Sequence, residues 1–207
     1  MTIAIAFLFG VIFGSFINAL VWRLRKLETS KGKVSKKYSI AHGRSMCVEC
    51  KHELAAHDLI PVISWLLLKG HCRYCHKPIS VQYPIVELVT GVLFAVSFAF
   101  WPFSFDGFVG ILLLGLWLVS LVILIALAVY DIHWFELPDR LVFPLIALSG
   151  IFALSRAYLA GDASVAFGSF LGGAIIFSVF WALFQLSKGE WIGGGDVKIA
   201  FALGTFS

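Results

Sequence analysis

The stretch FVGILLLGLWLVSLVILIALAVY, residues Phe108–Tyr130, decides the fold class of this chain. Its 23 residues carry no charged side chain, and as an α-helix they extend about 35 Å at about 1.5 Å per residue. Because a hydrocarbon core is about 30 Å thick, the stretch predicts a membrane-spanning helix. Similar apolar runs occupy Ile3–Trp22, Ile85–Trp101, Leu141–Ala160 and Ala163–Leu186. The sequence therefore predicts an all-α, polytopic integral membrane helical bundle.

The composition supports the same class. Of 207 residues, 60% are hydrophobic and only 14% are charged, and the mean hydropathy is +0.93. Soluble domains carry about 45–50% apolar and about 25% charged residues. These values exclude a disordered chain, a secreted disulfide scaffold and an ordinary water-soluble enzyme.

The positive charge is concentrated in one segment. Residues 23–83 hold twelve of the sixteen Lys and Arg and four of the twelve Asp and Glu, a net charge of +8. Positive loops stay on the cytoplasmic side of a membrane, so this segment predicts the orientation of the bundle. Its lysine run lacks interleaved aromatic residues, which argues against nucleic-acid binding.

The domain organisation follows from these segments. We predict a first transmembrane helix over residues 1–22, a basic cytoplasmic loop over 23–84, and a second transmembrane domain over 85–207. Within the loop, Leu59–Leu68 is apolar but too short to span a bilayer, and is expected to lie at the membrane surface. The last run, Val197–Ser207, is also too short to span a bilayer, so we expect a truncated last helix, a re-entrant element or one completed by a partner.

All four cysteines lie in the basic loop. They form two C-x2-C pairs, Cys47 with Cys50 and Cys72 with Cys75, separated by 21 residues. Thiols in the reducing cytoplasm do not form structural disulfides, and paired C-x2-C motifs are typical of a tetrathiolate zinc site. The pattern predicts a structural zinc ion held by these cysteines.

Two acidic residues stand at the ends of apolar runs. Asp131 directly follows Tyr130, and Asp196 follows the glycines Gly193–Gly195. Counting membrane crossings from the first helix puts both residues on the cytoplasmic side. Two carboxyl groups brought close together can serve as the acid and the base of an aspartic protease, so the pair predicts that activity. From the residues alone, two alternatives stay open: Asp196 is the N-cap of a helix, and Asp131 is a solvated acid at a helix end.

The ordered motifs of the chain resemble those of the bacterial type IV prepilin leader peptidase/N-methyltransferase family of GxGD aspartyl proteases. They span nearly the whole sequence: GSFINALVWRL (Gly14–Leu24), GRSMCVEC (Gly43–Cys50), DLIPVISWLLLKGHCRYCHKPIS (Asp58–Ser80), YPIVELVTG (Tyr83–Gly91), YDIHWFELPDRLVFP (Tyr130–Pro144) and GGGDVKIAFALG (Gly193–Gly204). Members of the family usually continue through a full helix beyond GxGD.

The resemblance implies a function for this chain. It implies catalytic aspartates at Asp131 and Asp196, and it places the paired cysteine motif at Cys47, Cys50, Cys72 and Cys75. The implied reaction removes the basic leader from prepilins and pseudopilins after a glycine, at the cytoplasmic face of the bacterial inner membrane. N-methylation of the new terminus with S-adenosylmethionine is also implied, for a type IV pilus or type II secretion system. The implied partners are these substrates and membrane lipid; no oligomeric state is implied.

Several alternatives remain at this point. A membrane-anchored zinc-ribbon adaptor would explain the cysteines but would leave Asp131 and Asp196 without a role. A transporter would need charges in the middle of its helices, and the sequence has none there. A presenilin-like GxGD protease is disfavoured by the cysteine loop. A truncated, inactive form of the peptidase is the last alternative.

Overall fold

The computed structural model describes residues 2–30, 39, 43–103, 105 and 107–206. The lysine run at 31–37, His42 and Ser207 lie outside these residues. The α-helices are α1 (Thr2–Thr29), α2 (Ile63–Leu67), α3 (Gln82–Ala99), α4 (Phe108–Trp134), α5 (Asp139–Ala160), α6 (Ala163–Leu186) and α7 (Gly194–Phe206), with one 3₁₀ turn at Ala56–Leu59.

The predicted fold class is confirmed. Apart from two isolated bridges, Met46 with Glu53 and His71 with Pro78, the regular structure of the described residues is helical. Five helices, α1, α3, α4, α5 and α6, are long and apolar enough to cross a membrane. The chain divides into two compact units, Met1–Phe100 and Trp101–Ser207.

In the first unit, α1 and α3 pack at close range because small residues line their interface. A Cβ atom added at Gly14 would lie 2.5 Å from Glu87 Cα, and one at Gly10 would lie 2.7 Å from the Thr90 carbonyl oxygen. Such close backbone approach is typical of helix pairs in membranes. Asn18 adds an interhelical hydrogen bond, since its Nδ2 donates to the Tyr83 carbonyl at 3.2 Å.

The same unit contains the basic, cysteine-bearing loop. α1 continues beyond Trp22 to Thr29, and the buried Arg23 guanidinium donates to the carbonyl of Gly43 at 2.8 Å. This contact holds the start of the first cysteine segment against the end of α1.

In the second unit, α5 packs against α4, α6 and α7, and α6 packs against α7. Fully buried side chains from α4 and α5, such as Tyr130, Leu127 and Leu145, form its core. Arg156 of α5 donates from its Nη1 to the carbonyl of Phe206 at 3.3 Å, at the end of α7. The helix terminus supplies an acceptor that the sequence does not reveal, because it lies fifty residues away in the chain.

Candidate functional site

Asp131 lies in the last turn of α4. It is half-buried, and it directly follows the fully buried Tyr130. Phe135 ends the helix in the left-handed conformation, with φ 52°, and its N–H donates to the Asp131 carbonyl oxygen at 2.8 Å. The helix therefore fixes the backbone of Asp131. The chain changes direction at Phe135, four residues later.

Asp196 lies in the first turn of α7. Its Oδ2 accepts a hydrogen bond from the Gly193 N–H at 3.0 Å, and its own N–H donates to the Gly193 carbonyl at 3.1 Å. The alternative that Asp196 is the N-cap is wrong, because α7 begins two residues earlier at Gly194. The carboxylate instead accepts a hydrogen bond from the N–H of Gly193, the residue before α7. This is one of the two hydrogen bonds that make up a capping box.

The segment that follows Asp131 touches the glycine run that precedes Asp196. A Cβ atom added at Gly195 would lie only 2.7 Å from the Leu137 Cβ atom and 2.9 Å from its Cδ1. Leu137 belongs to the short connection between α4 and α5. This contact brings the two aspartate motifs to the same end of the second unit. Within residues 107–206, no hydrogen bond joins the two carboxyl groups directly.

An ion pair joins the first turns of α5 and α7 at the same end. The Lys198 Nζ atom lies 2.6 Å from the Asp139 Oδ1 atom and 5.4 Å from the centre of the Phe143 ring. Lys198 is two residues beyond Asp196, so the pair ties the start of α7 to the start of α5. Asp139 is the first residue of α5, so this link acts at the very start of that helix.

His133 is close to Asp131 in sequence but bonds within its own helix. Its Nδ1 lies 2.9 Å from the Val129 carbonyl oxygen, one turn earlier in α4. The imidazole therefore satisfies a backbone group near the helix end.

The four cysteines form a second site, in the first unit. Their Sγ atoms all lie within 4.8 Å of one another, and the Sγ atoms of Cys47 and Cys75 are 3.9 Å apart. A tetrahedral site with Zn–S bonds of about 2.3 Å separates its sulfur atoms by about 3.8 Å. The cluster therefore can hold a metal ion, and both its donor type and its spacing fit zinc.

The clustered thiols shift one another's pKa values. For Cys47, burial opposes ionisation, but the N–H groups of Cys50 and Glu49 outweigh it and lower the pKa to about 7. For Cys75, the Lys77 N–H favours the thiolate, but burial and the three neighbouring thiols outweigh it and raise the pKa to about 11. Four thiolates this close need a cation to offset their mutual repulsion.

Asp58 links the two cysteine pairs. Its carboxyl, only 3% exposed, accepts hydrogen bonds from Arg73 Nε at 2.8 Å and from the Tyr74 hydroxyl at 2.9 Å. Tyr74 in turn stacks on His52, with ring centres 3.7 Å apart. Arg73 and Tyr74 are the two residues between Cys72 and Cys75, so the carboxylate fixes the turn that carries these thiols.

Burial disfavours the ionisation of Asp58, but the hydrogen bonds outweigh burial and hold the pKa of Asp58 below its usual value.

The comparisons with known proteins agree with this arrangement. Residues 8–101 match the bacterial peptidase A24 N-terminal domain, and residues 118–207 match the type IV leader peptidase family. A prepilin leader peptidase/N-methyltransferase of Aeromonas salmonicida is 34% identical, over 98% of this chain and 72% of its own length. The chain belongs to the type IV leader peptidase family. A protein of the same description from Klebsiella pneumoniae is 36% identical, over 97% of this chain and 82% of its own length.

Family membership confirms the resemblance and the predicted enzyme class: the chain is a peptidase. The N-terminal domain match contains the four cysteines, and the leader peptidase match contains Asp131 and Asp196. A type 4 prepilin-like proteins leader peptide-processing enzyme of Escherichia coli is 31% identical, over 95% of this chain. No solved structure matches the chain.

Sequence reasoning missed three groups around these sites: Leu137, Lys198 and Asp58. Each acts through a partner that is distant in sequence, and none is part of a periodic pattern. Of the three, Lys198 could most easily have been identified from the sequence, because it is a charged residue inside an apolar segment, two positions from Asp196.

Proposed function

We propose that the chain is a membrane aspartic endopeptidase that removes the basic leader from type IV prepilins and pseudopilins after a glycine. We place it in the bacterial inner membrane, with Asp131 and Asp196 as the catalytic pair at the cytoplasmic face. The observation that carries this proposal is the contact of Leu137 with Gly195, which joins the two aspartate motifs. Relatives named as prepilin leader peptidases supply the substrate class.

The reaction divides the work between two carboxyl groups in different protonation states. The ionised carboxylate removes a proton from a water molecule, whose oxygen attacks the scissile carbonyl carbon. The protonated carboxyl donates its proton to the leaving amine as the C–N bond breaks. The proposed mechanism therefore needs one carboxyl group of the pair in the protonated form and the other ionised, which is the division of roles found in aspartic proteases.

The surroundings of Asp196 suit a peptide substrate. Gly193 is exposed and presents bare backbone, so an extended chain can approach the carboxylate closely. The Gly193 N–H holds one oxygen of Asp196 at 3.0 Å, which orients the carboxylate.

Zinc is proposed as a structural ion held by Cys47, Cys50, Cys72 and Cys75. Such an ion supplies folding energy to a small loop that lacks a large core of its own. N-methylation of the new N-terminus with S-adenosylmethionine is part of the proposal through the names of the relatives. Among the described residues we assign none to the methyl donor, since the sequence carries no nucleotide-binding fingerprint.

Intact-mass analysis of a prepilin incubated with the purified chain in detergent tests the proposal. We expect the wild-type chain to remove the leader, with a further methyl mass when S-adenosylmethionine is present. Asp131→Asn and Asp196→Asn should each lower cleavage by about 10²-fold or more, because each removes a proton-transfer group. Glu190→Gln changes a nearby acid in the loop before α7 and is the matched control. Cleavage that survives both aspartate substitutions would refute the aspartyl mechanism.

A further inference from the structure

The short apolar segment around α2 presents hydrophobic side chains outward. Ile63, Leu66 and Leu67 are 54%, 60% and 77% exposed, and they lie at positions i, i+3 and i+4 of the helix. Residues at this spacing share one helix face. Leu59 and Ile60, just before α2, are also exposed, at 38% and 45%. An apolar surface of this kind marks a contact with a partner or a membrane.

The inner side of α2 is fixed to the rest of the unit. Trp65 Nε1 donates to the Ile79 carbonyl at 3.1 Å, and its indole ring packs against Gly70 so closely that an added Cβ there would lie 2.9 Å from the ring. These contacts keep the orientation of the helix constant. The opposite face, with Ile63, Leu66 and Leu67, therefore stays directed away from the unit.

A hydrogen bond fixes the position of α2 along the axis of the spanning helix α3. The Val62 N–H, at the start of α2, donates to the buried Glu87 Oε2 at 2.7 Å. Glu87 lies five residues after the first residue of α3, Gln82, which is about 7.5 Å along the helix. Val62 holds this place with φ 61°, a conformation that a β-branched residue rarely adopts. The segment is thus held beside the second turn of the spanning helix and not beyond its end.

At this position along its axis, α3 itself exposes apolar side chains. Ile85 and Val89, on either side of Glu87 in sequence, are 52% and 46% exposed on a helix that is apolar enough to cross a bilayer. On a helix that crosses a bilayer, exposed apolar side chains face lipid. The hydrogen bond from Val62 to Glu87 holds α2 beside these residues, and the exposed Lys69 lies two positions after α2 in a loop of net charge +8. An apolar face beside basic residues is typical of helices that lie in a membrane interface.

We propose that Ile63, Leu66 and Leu67 form an interfacial anchor that inserts into the headgroup and acyl-chain boundary of a bilayer containing anionic lipid. The anchor holds the cysteine loop flat against the membrane. This inference rests on the spanning helices and not on the proposed peptidase activity, so it stands or fails separately.

Photo-crosslinking of the full chain tests the anchor. Leu67 is replaced with p-benzoylphenylalanine, and the chain is reconstituted in vesicles of phosphatidylethanolamine and phosphatidylglycerol. The same residue at Val89 is the lipid-facing reference, and at Glu53, in the first cysteine segment, it is the solvent-facing control. After irradiation, adducts are identified by intact mass. We expect lipid adducts at position 67 at a yield close to that at 89 and several-fold above that at 53.

Two outcomes would overturn the anchor. One is the absence of lipid adducts at position 67 in a preparation where position 89 reacts. The other is an adduct to a polypeptide at 67, either a second copy of the chain or an added prepilin, since the face would then be a protein interface. If the Leu67 variant does not elute as a single species in detergent, the same measurement is made at Leu66, which lies on the same face.

Discussion

At Gly195, one added methyl group tests the geometry of the aspartate site. The Cβ atom of Gly195→Ala would lie 2.7 Å from Leu137 Cβ, an atom that cannot rotate away, so α7 or the connection after α4 must move. A shift of about 1 Å costs about 10²-fold in rate, and we expect prepilin cleavage to fall by about that factor. The measurement is initial cleavage rate in detergent.

Gly194 provides the matched control. It is the first residue of α7, and an added Cβ there would meet no atom within 4 Å. Gly194→Ala should therefore cleave at close to the wild-type rate. Equal losses in the two variants would mean that the glycine run serves backbone flexibility and that contact with Leu137 is irrelevant.

Asp58 is expected to act on the stability of the cysteine loop and not on peptide cleavage itself. Asp58→Asn exchanges a buried, charge-assisted hydrogen bond with Arg73 for a neutral one, at a cost of about 1–3 kcal/mol. We expect faster transfer of zinc to a chelating dye at pH 7. The control is Glu53→Gln, which breaks an exposed pair with Arg44 that is worth about 0–1 kcal/mol. Equal zinc release from both variants would contradict a linking role for Asp58.

The direction of the Asp58 pKa also fixes a pH dependence. Its folded-state pKa lies below the usual value, so the ionised carboxyl stabilises the loop at every pH above about 3.9, its unfolded pKa. This contribution is fully present at neutral pH and is lost only as the pH falls through the folded pKa. Histidine side chains ordinarily titrate near pH 6.5, and His57 Nε2 lies 3.4 Å from Asp58 Oδ1. The difference between the wild-type chain and Asp58→Asn should therefore be constant between pH 7.5 and pH 8.5, which repeating the dye assay across that range will check.

At the scale of helices, the Asp139–Lys198 pair is expected to position α7. Both side chains are partly exposed, at 55% and 39%, so the pair contributes at most about 1 kcal/mol to stability. Its effect on cleavage should be larger, because it fixes the turn that carries Asp196. We expect Lys198→Met and Asp139→Asn each to lower kcat about tenfold, on the scale of rate losses from misplaced groups, with little change in thermal stability.

The reversed pair separates positioning from a direct role of the lysine. In Asp139→Lys combined with Lys198→Asp, the attraction between α5 and α7 is restored while the charge near Asp196 is inverted. Recovery of kcat relative to the single variants would support positioning. A double variant as slow as Lys198→Met would show that the ammonium group itself is needed beside Asp196.

The helices themselves were predictable because long apolar runs dominate their sequences. α6 begins and ends at the predicted residues, Ala163 and Leu186, whereas α4 extends past Tyr130 to Trp134 and includes Asp131. Apolar content marks where a helix enters lipid, but it does not mark where the helix ends in water. The carboxylates of the candidate site were also predictable, since charge at the end of an apolar run is costly and rare.

The contacts between helices were not predictable. Leu137 with Gly195 and Asp139 with Lys198 join segments that lie about sixty residues apart in the chain. Such a contact depends on which helices pack together, and apolar spans alone do not determine their neighbours. Val62 with Glu87 shows the same limit, because its donor is a backbone N–H that no side-chain pattern reveals.

At the scale of the whole chain, the cysteine loop of the first unit is stabilised differently from the packed helices of the second unit. The second unit has helices packed around fully buried side chains, such as Tyr130 and Leu145. Between α1 and α3, residues 43–81 of the first unit include only short helical turns, and Cys72 is one of the few buried apolar side chains there. The loop therefore depends on cross-links, from the proposed zinc ion and from Asp58.

Removal of zinc is accordingly expected to loosen one unit and leave the other intact. Amide hydrogen exchange of the full chain in detergent, with and without a chelator, reports each region separately. We expect exchange in residues 43–80 to accelerate strongly, because structural zinc contributes folding energy directly. Exchange in α4 to α7 should stay unchanged, since their hydrogen bonds lie in packed helices.

Cys72→Ser should reproduce the chelated pattern without chelator, and the exposed-residue variant Glu53→Gln should not. Protection of residues 43–80 that persists in metal-free protein would refute structural zinc, and loss of protection in α4 to α7 would contradict independent stabilisation of the two units.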